Sequence, residues 1–232
     1  MNKKIIRYYV LSLALTIVIS SCEQSSSADM EVMTNETDSV SYALGVNIGE
    51  SLKQQGAGDL NFETMLAAAE RAYAGDTTLA MKGEDAAKYL NTFFQNKQRE
   101  KAQMTLQEGQ DFLEANKSNP DVIVMPSGLQ YEILESGNGN TAVLGDSVYA
   151  HYTGMFIDGE TFESSLQAGR PAGFKVGGVI RGMNEALLMM KEGDKWKLYI
   201  PAELGYGAMA GGRIPPNSAL IFELELLTVK KN

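Results

Sequence analysis

The chain offers few side chains that could act as nucleophiles, acid–base catalysts or metal ligands. It contains one histidine, His151, and one cysteine, Cys22. A single cysteine excludes an internal disulfide framework, and one cysteine with one histidine excludes a zinc finger or knuckle. A lone histidine also makes catalysis by a Ser-His-Asp triad a poor hypothesis. The residue types therefore predict a function that does not use the common reactive side chains.

Four other features resemble functional motifs only in part. Gly177-Gly178 and Gly205-Tyr206-Gly207 lack the Lys-Ser/Thr pair or the strand–helix context of phosphate-binding loops. Glu84-Asp85 is better explained as the acidic start of a helix than as a metal site. His151 precedes Tyr152 in a predicted strand, so its side chain leaves the opposite face, where we expect a structural role.

Acidic residues outnumber basic ones. The 232 residues include 29 Asp and Glu against 20 Lys and Arg, which gives a formal net charge of −9. Nucleic-acid binding needs a basic surface, so this balance argues against a nucleic-acid partner. With 44% apolar residues, the chain is long enough for one large domain or two small ones.

Residues 1–21 have the organisation of an export signal. Lys3, Lys4 and Arg7 precede an apolar run over 8–19, shorter than the roughly 20 residues that span a bilayer. The run ends in Ile19-Ser20-Ser21-Cys22, which resembles a bacterial lipoprotein signal, where the cysteine receives a lipid and becomes the mature amino terminus. An ordinary signal followed by a chance cysteine is the alternative.

Cleavage before Cys22 removes three basic and no acidic residues, so the formal net charge changes from −9 to −12. Residues 22–38 are polar and acidic without apolar periodicity, which predicts a flexible tether. Glu23 stands where some lipoproteins of the inner membrane have Asp, and this favours the outer membrane. We therefore expect a protein of the cell envelope, lipid-anchored at Cys22 and facing the periplasm.

Residues 39–118 predict an all-helical region, because they lack proline and are rich in helix-favouring residues. A first helix is indicated by apolar residues at every fourth position, Val40, Leu44, Ile48 and Leu52. Gly45 and Gly49 on this helix suggest that another backbone packs close to it. Helices are also predicted over 62–74 and 84–117. The polar stretch 95–103 predicts an exposed connecting helix, with Gly109 as a weak point.

From residue 119 glycine and proline become frequent and apolar residues alternate with polar ones. Strands are predicted over 129–134, 147–152, 155–157, 161–162, 174–176, 195–200 and 220–227, with a short helix over 183–190. Alternation of this kind is typical of an antiparallel sheet with one buried face. The prediction for the fold class is therefore α+β, a helical region followed by a sheet that packs on a short helix.

The motifs of this second part closely resemble those of FKBP-type peptidyl-prolyl cis-trans isomerases. The matching segments are His151-Tyr152-Thr153-Gly154, 158–165 (DGETFESS), Val179-Ile180-Arg181-Gly182, Leu204-Gly205-Tyr206-Gly207, Ile214-Pro215-Pro216 and the last strand, 219–227. In the helical part, 41–45 (SYALG) and 126–131 (PSGLQY) resemble the macrophage infectivity potentiator type, so the resemblance covers roughly 39–231.

The resemblance implies a homodimer held through residues 39–75, a long connecting helix, and an FKBP-type domain over 119–232 whose antiparallel sheet wraps around a short helix. It implies an isomerase that assists the folding of exported proteins by binding Xaa-Pro segments in a dry aromatic pocket. Its partners would be unfolded or partly folded proteins, with macrolides as further ligands. No cofactor is implied.

The resemblance also carries site residues over to this chain. The implied catalytic residues are Tyr152, Phe162, Glu163, Val179, Ile180 and Tyr206. The implied substrate-binding residues are Phe174, Met183, Ile214 and Phe222. In this scheme the Ile180 N–H and the Tyr206 hydroxyl bind the substrate chain, and Glu163 orients Tyr152.

Three positions depart from the usual pattern of the family. Met183 stands where most members have Trp, Glu163 replaces Asp, and Ala172 replaces a Phe of small single-domain members. Methionine is more flexible than tryptophan, so the pocket floor would be less rigid.

The alternative function is a dimeric holdase chaperone with weak or no isomerase activity. A third possibility for the function is a surface adhesin built on the same fold.

Overall fold

The structure is a computed structural model that describes residues 35–232. The predicted signal, Cys22 and the tether up to residue 34 lie outside the described residues. The described chain divides after Gln55 into two compact units. Among residues 35–232, none of the helices combines the length and the apolar content that crossing a bilayer requires.

Helix α1 (Glu36–Gln54) begins three residues before the predicted start of the helical region at residue 39. The Asn35 side chain accepts a hydrogen bond from the Asp38 N–H at 2.9 Å, a cap that stabilises a helix start by about 1 kcal/mol. Glu36 and Asp38 in the first turn interact favourably with the helix dipole. The cap and these charges explain why polar residues that looked like tether are helical.

Helix α2 (Phe62–Tyr73) begins at the predicted residue and is capped by the Asn61 side chain, which accepts from the Thr64 N–H at 2.9 Å. In the loop that follows, Arg71 Nε donates to Asp76 at 2.8 Å. Hydrogen bonds from Thr78 and then from Arg71 lower the pKa of Asp76 to about 2. The hydrogen bonds among Arg71, Asp76 and Thr78 stabilise the loop between α2 and the next helix.

Helix α3 (Gly83–Asn116) is a single helix of 34 residues, close to the predicted 84–117. Its polar middle is exposed, with Ala102 half-buried. Gly109 is the buried residue of α3, and a Cβ there would lie 2.9 Å from the Ala219 Cβ. The missing side chain lets the helix approach another segment closely, a role that the sequence analysis does not predict for Gly109.

The carboxyl-terminal half of α3 packs on the sheet by two further contacts. The Phe112 ring lies 6.0 Å from the Tyr199 ring. Gln130, which is 2% exposed, donates from its side chain to the Leu113 carbonyl at 2.8 Å. Because these contacts satisfy buried groups of the sheet, this part of α3 belongs structurally to the sheet domain.

The sheet contains seven antiparallel strands in the order β1-β2-β6-β7-β3-β4, with β5 paired to β3. The strands are β1 (Ile123–Val124), β2 (Gln130–Glu135), β3 (Ser147–Phe156), β4 (Thr161–Ser164), β5 (Ala172–Lys175), β6 (Lys195–Ile200) and β7 (Leu220–Lys230). The long strand β3 pairs with β5 through its first half and with β4 through its second half. This division lets the sheet curve around a helix.

Helix α4 (Arg181–Met189) contributes Met183, Ala186 and Leu187 to the core. Inward-facing residues of β6 and β7 meet it, and these are Trp196, Leu198, Ile200, Leu220, Phe222, Leu224 and Leu226. Tyr199 on the opposite face of β6 is also buried, because α3 covers it. The predicted α+β fold, with a helical amino-terminal part and an antiparallel sheet packed on a short helix, is confirmed.

Candidate active site

A cavity of about 480 Å³ opens between the concave face of the sheet and α4. Its lining residues come from four strands, from α4 and from two loops. They are Tyr152, Glu163, Phe174, Gly178, Val179, Ile180, Met183, Tyr206 and Phe222. Because segments far apart in the chain converge here, the site depends on the complete domain.

Aromatic rings form one wall of this cavity. The Tyr152 ring lies 5.5 Å from the Phe174 ring and 6.3 Å from the Phe222 ring. Strands β3, β5 and β7 hold these three residues, and β3 pairs with both of the others. Ring pairs at these distances are stabilising, so the wall is held together by contacts among its own side chains.

Of the ten residues that the family resemblance assigns to the site, eight line the cavity, whereas Phe162 and Ile214 do not. The Phe162 ring packs 5.1 Å from Phe156 and 5.7 Å from Phe222, which leaves it 8% exposed. Phe162 therefore packs against Phe222 on the side that faces away from the cavity. Ile214 is half-buried against the core.

Two tyrosine hydroxyls face the cavity close to the Glu163 carboxylate. Burial raises the pKa of Tyr152, and the hydrogen bonding and charge of Glu163 raise it further. Burial also raises the pKa of Tyr206, with a smaller contribution from the charge of Glu163. Both hydroxyls remain protonated at neutral pH. The Tyr152 proton is directed to Glu163, so the Tyr206 hydroxyl is the one that can donate a hydrogen bond to a ligand.

The turn that leads into α4 is fixed by Asn184, a residue that the sequence analysis misses. Its side-chain oxygen accepts from the Gly177 N–H at 2.8 Å, and its amide nitrogen donates to the Val179 carbonyl at 2.5 Å. The Ile180 N–H has no hydrogen-bond partner among residues 35–232. Asn184 thus presents this donor at the wall of the cavity.

Gly178 also lines the cavity and is absent from the sequence prediction. Its N–H donates to the Lys175 carbonyl at 2.8 Å, which forms the tight turn after β5. One sequence signal could have indicated this turn: the pair Gly177-Gly178, with an Asn seven residues after Gly177.

Met183 is 4% exposed, so only a small part of its side chain contributes to the cavity surface.

His151 lies outside the cavity, on the strand face expected for it. Its Nδ1 is 3.1 Å from the Ser165 hydroxyl, and Ser165 is 4% exposed. The same hydroxyl accepts from the Tyr152 N–H at 2.9 Å. His151 is therefore part of a small polar network behind the aromatic wall.

In the part of the chain from residue 35 on, His, Cys, Asp and Glu side chains do not assemble in groups of three suited to a metal ion.

Two family models match the chain. The model described as FKBP-type peptidyl-prolyl cis-trans isomerase matches residues 139–227. The model described as the domain amino terminal to FKBP-type peptidyl-prolyl isomerase matches residues 37–133. The matched ranges together include every cavity residue and all four helices except the first residue of α1.

Known proteins are similar over most of the chain. Outer membrane protein MIP of Legionella longbeachae is 35% identical over 239 aligned positions, which cover 100% of this chain and 99% of that protein. The FKBP-type 22 kDa peptidyl-prolyl cis-trans isomerase of Escherichia coli is 38% identical, covering 82% and 93%. The crystal structure of FkpA from Escherichia coli superimposes with a TM-score of 0.71 at 33% identity, covering 86% and 99%.

Replacing Glu163 by Gln should lower the pKa values of Tyr152 and Tyr206, because the substitution removes a negative charge and keeps the shape of the side chain. Burial is the larger cause for both groups, so both values should stay above the ordinary value of about 10. Because the pKa of each tyrosine is raised in the folded state, the free energy of unfolding falls as the pH rises above about 10. This fall should be smaller in Glu163→Gln than in the wild type.

The measurement is an alkaline titration of the tyrosine ring signals by NMR, with assignments from Tyr152→Phe and Tyr206→Phe. Glu160→Gln, outside the cavity on the β3–β4 turn, is the control and should leave both tyrosines unchanged. Equal titration curves for the wild type and Glu163→Gln would show that Glu163 does not act on these hydroxyls.

Proposed function

The chain belongs to the FKBP-type peptidyl-prolyl cis-trans isomerases, of the macrophage infectivity potentiator kind, and we propose that the aromatic cavity around Tyr152 is its active site. As a member it is an isomerase that acts on proline-containing protein chains. The observation that carries the assignment of the site is a cavity walled by aromatic rings. Its polar donors are the Ile180 N–H, which has no partner among residues 35–232, and the protonated Tyr206 hydroxyl.

The reaction explains why this site needs no reactive side chain. Rotation about a peptide bond has a barrier of about 18–20 kcal/mol, because the planar amide is stabilised by resonance. The twisted transition state has lost that resonance and is less dipolar than the planar amide. An apolar cavity therefore favours the transition state more than water does. Acceleration by a thousand- to ten-thousandfold requires only about 4–5.5 kcal/mol of this preference.

Three groups have distinct roles in the proposed mechanism. The proline ring of the substrate enters between the aromatic wall and Met183. The Ile180 N–H donates to the substrate carbonyl and holds it while the bond rotates. The Tyr206 hydroxyl donates to the adjacent part of the substrate chain, and Glu163 keeps Tyr152 oriented in the wall.

Replacing Ile180 by Pro should lower kcat/KM for an Xaa-Pro peptide by roughly tenfold, because proline has no N–H to donate. The φ of Ile180 is −57°, which proline adopts without strain, so the turn should be preserved. The measurement is the rate of cis–trans exchange in a short Xaa-Pro peptide, followed by NMR.

Ile180→Val is the matched control, since it keeps the N–H and removes one methylene group. It should lower kcat/KM by less than threefold. A wild-type protein that does not accelerate exchange would refute the proposed active site. If Ile180→Pro were as active as Ile180→Val, the N–H would have no catalytic role. Suppression of protein aggregation by Ile180→Pro would measure any holdase activity separately.

We also propose that the protein is a homodimer held through residues 39–75. The support is the apolar surface that each of the first two helices exposes. In α1, Val40 is 54% and Leu44 is 58% exposed, and in α2, Leu66 is 59% exposed. Apart from the chain neighbours and the adjoining backbone of α1 itself, no described atom lies within 4 Å of the Cβ position of Gly45 or Gly49, so both glycines are open to a second copy. Apolar stripes of this kind are typical of an interface.

Replacing Leu44 by Lys should convert the dimer to a monomer, because a charge would be buried in an apolar interface. Sedimentation equilibrium should give twice the chain mass for the wild type and the single mass for the variant. Gln54→Lys adds the same charge at the exposed end of α1 and should remain dimeric. A monomeric wild type would contradict the proposed interface.

We propose further that residues 1–21 are an export signal and that Cys22 carries a lipid, which places the isomerase in the cell envelope. The relative from Legionella longbeachae is itself named an outer membrane protein. The short apolar run before Ser20-Ser21-Cys22 supports lipidation. Exported proteins with Xaa-Pro bonds would then be the substrates.

Replacing Cys22 by Ser should abolish incorporation of labelled palmitate in a bacterial host and move the protein from the membrane fraction to the soluble fraction. Loss of the acylated residue removes the anchor. Adding Ser26→Cys to this variant restores a cysteine outside the signal and should not restore labelling. An unlabelled wild type would favour the ordinary signal.

A further inference from the structure

Asn217 has a backbone conformation that is unusual for a residue with a side chain. Its φ is 62°, and among the non-glycine residues of 35–232 it alone has a positive φ. Asparagine tolerates this left-handed region better than most residues. Asn217 lies between Pro215 and β7. This segment follows residues 205–214, the loop that carries Tyr206 and is called the Tyr206 loop below. Such conformations persist where the surrounding contacts hold them.

Two hydrogen bonds join Asn217 to two different parts of the molecule. Its backbone N–H donates to the Gly207 carbonyl at 3.0 Å. Its side-chain amide donates to the Ala102 carbonyl in α3 at 3.2 Å. Gly207 is the neighbour of Tyr206 in sequence, so Asn217 connects the loop that carries a cavity hydroxyl to a helix more than a hundred residues earlier in the chain.

A second contact joins the same two segments. Gly109 is two helical turns after Ala102 and lies on the same side of α3, about 10 Å along the axis. Ala219, two residues after Asn217, fills the space above Gly109. The end of the loop is thus held by α3 at both Asn217 and Ala219.

Few other hydrogen bonds hold the Tyr206 loop, and one of them runs from the Arg213 guanidinium to the Phe162 carbonyl at 3.3 Å. Gly207 and Gly212 have positive φ values of 64° and 67°, and Met209 is 96% exposed. The Ala210 N–H reaches the Gly207 carbonyl only at 3.4 Å. Glycine-rich, exposed segments with few contacts open easily, so each bond that holds such a loop has a large effect on its position.

We propose that Asn217 is a positioning residue for the isomerase reaction, because its bond to α3 fixes the loop that presents the Tyr206 hydroxyl to the substrate. This inference rests on the proposed role of Tyr206 in binding the substrate chain. The left-handed backbone of Asn217 turns its N–H towards Gly207 while its side chain reaches α3. Substrate binding in the cavity therefore depends on a helix that does not line the cavity.

Asn217→Asp tests the bond directly, because a carboxylate cannot donate to the Ala102 carbonyl and is repelled by it, yet still tolerates the left-handed backbone. In the full-length protein, KM for an Xaa-Pro peptide should rise three- to tenfold, with kcat within twofold of wild type. Tyr206 contacts the substrate before and during rotation, and loss of such uniform binding raises KM alone. Asn217→Gly keeps the backbone conformation and should give the same result.

Gly109→Ala disturbs the same contact from the helix side. In the middle of a helix this substitution normally stabilises, but the added Cβ would meet Ala219 at 2.9 Å and push the loop away. KM should rise as in Asn217→Asp. In the double variant the rise should be smaller than the product of the two single effects, because both act on one contact.

Asn140→Asp is the matched control, since it removes a side-chain amide that donates to Glu192 at 3.0 Å in a loop outside the cavity. Its KM should be unchanged. A purely structural role of Asn217 would lower the fraction of active protein, so kcat would fall at constant KM, and that result would overturn the inference. So would an unchanged KM in both Asn217→Asp and Gly109→Ala.

Tyr206→Phe in the same assay separates the two proposals. If the wild type is active and Tyr206→Phe raises KM whereas Asn217→Asp does not, the positioning role fails and the active site stands. If the wild type does not accelerate exchange, the proposed active site fails first.

Discussion

The pairing of β3 with β7 is the interaction on which the rest of the domain depends. It runs from Ser147 opposite Lys230 to Phe156 opposite Leu220, with one irregularity after Tyr149. Every other strand except β1 and β2 pairs directly with one of these two. Near the end of this pairing Gly154 faces Phe222, and a Cβ on Gly154 would lie 2.6 Å from the Phe162 ring and 2.9 Å from the Phe222 ring. The aromatic wall therefore requires a glycine at this position.

Local sequence signals were sufficient for most elements of this fold. The Asn61 cap fixes the start of α2, and the alternation in β6 and β7 gives the buried face of the sheet. The start of α1 was less predictable, because Glu36 and Asp38 have the composition of a tether and become helical through the Asn35 cap. Composition alone does not distinguish a polar helix start from a polar linker.

Most residues that line the cavity were indicated by the family motifs, whereas the contacts that hold the cavity together were not. Tyr152, Ile180 and Tyr206 line the cavity as the resemblance implies. The position of Phe162 behind Phe222, and the contact of Gly109 with Ala219, depend on which segments meet across the fold. Periodicity along the chain contains no information on such tertiary contacts. In the sequence alone, Gly109, which close packing requires, therefore looks like a flexible point of the helix.

The bond between Asn217 and the Ala102 carbonyl divides α3 into two parts that differ in how they could change during evolution. Before Ala102, one inserted residue would lengthen the helix by about 1.5 Å and rotate what precedes it by about 100°. The cavity would not be affected. An insertion between Ala102 and Gly109 would turn one of these residues away from the segment 217–219. Changes of length in this helix should therefore accumulate on the amino-terminal side of Ala102, where they alter reach without altering the enzyme.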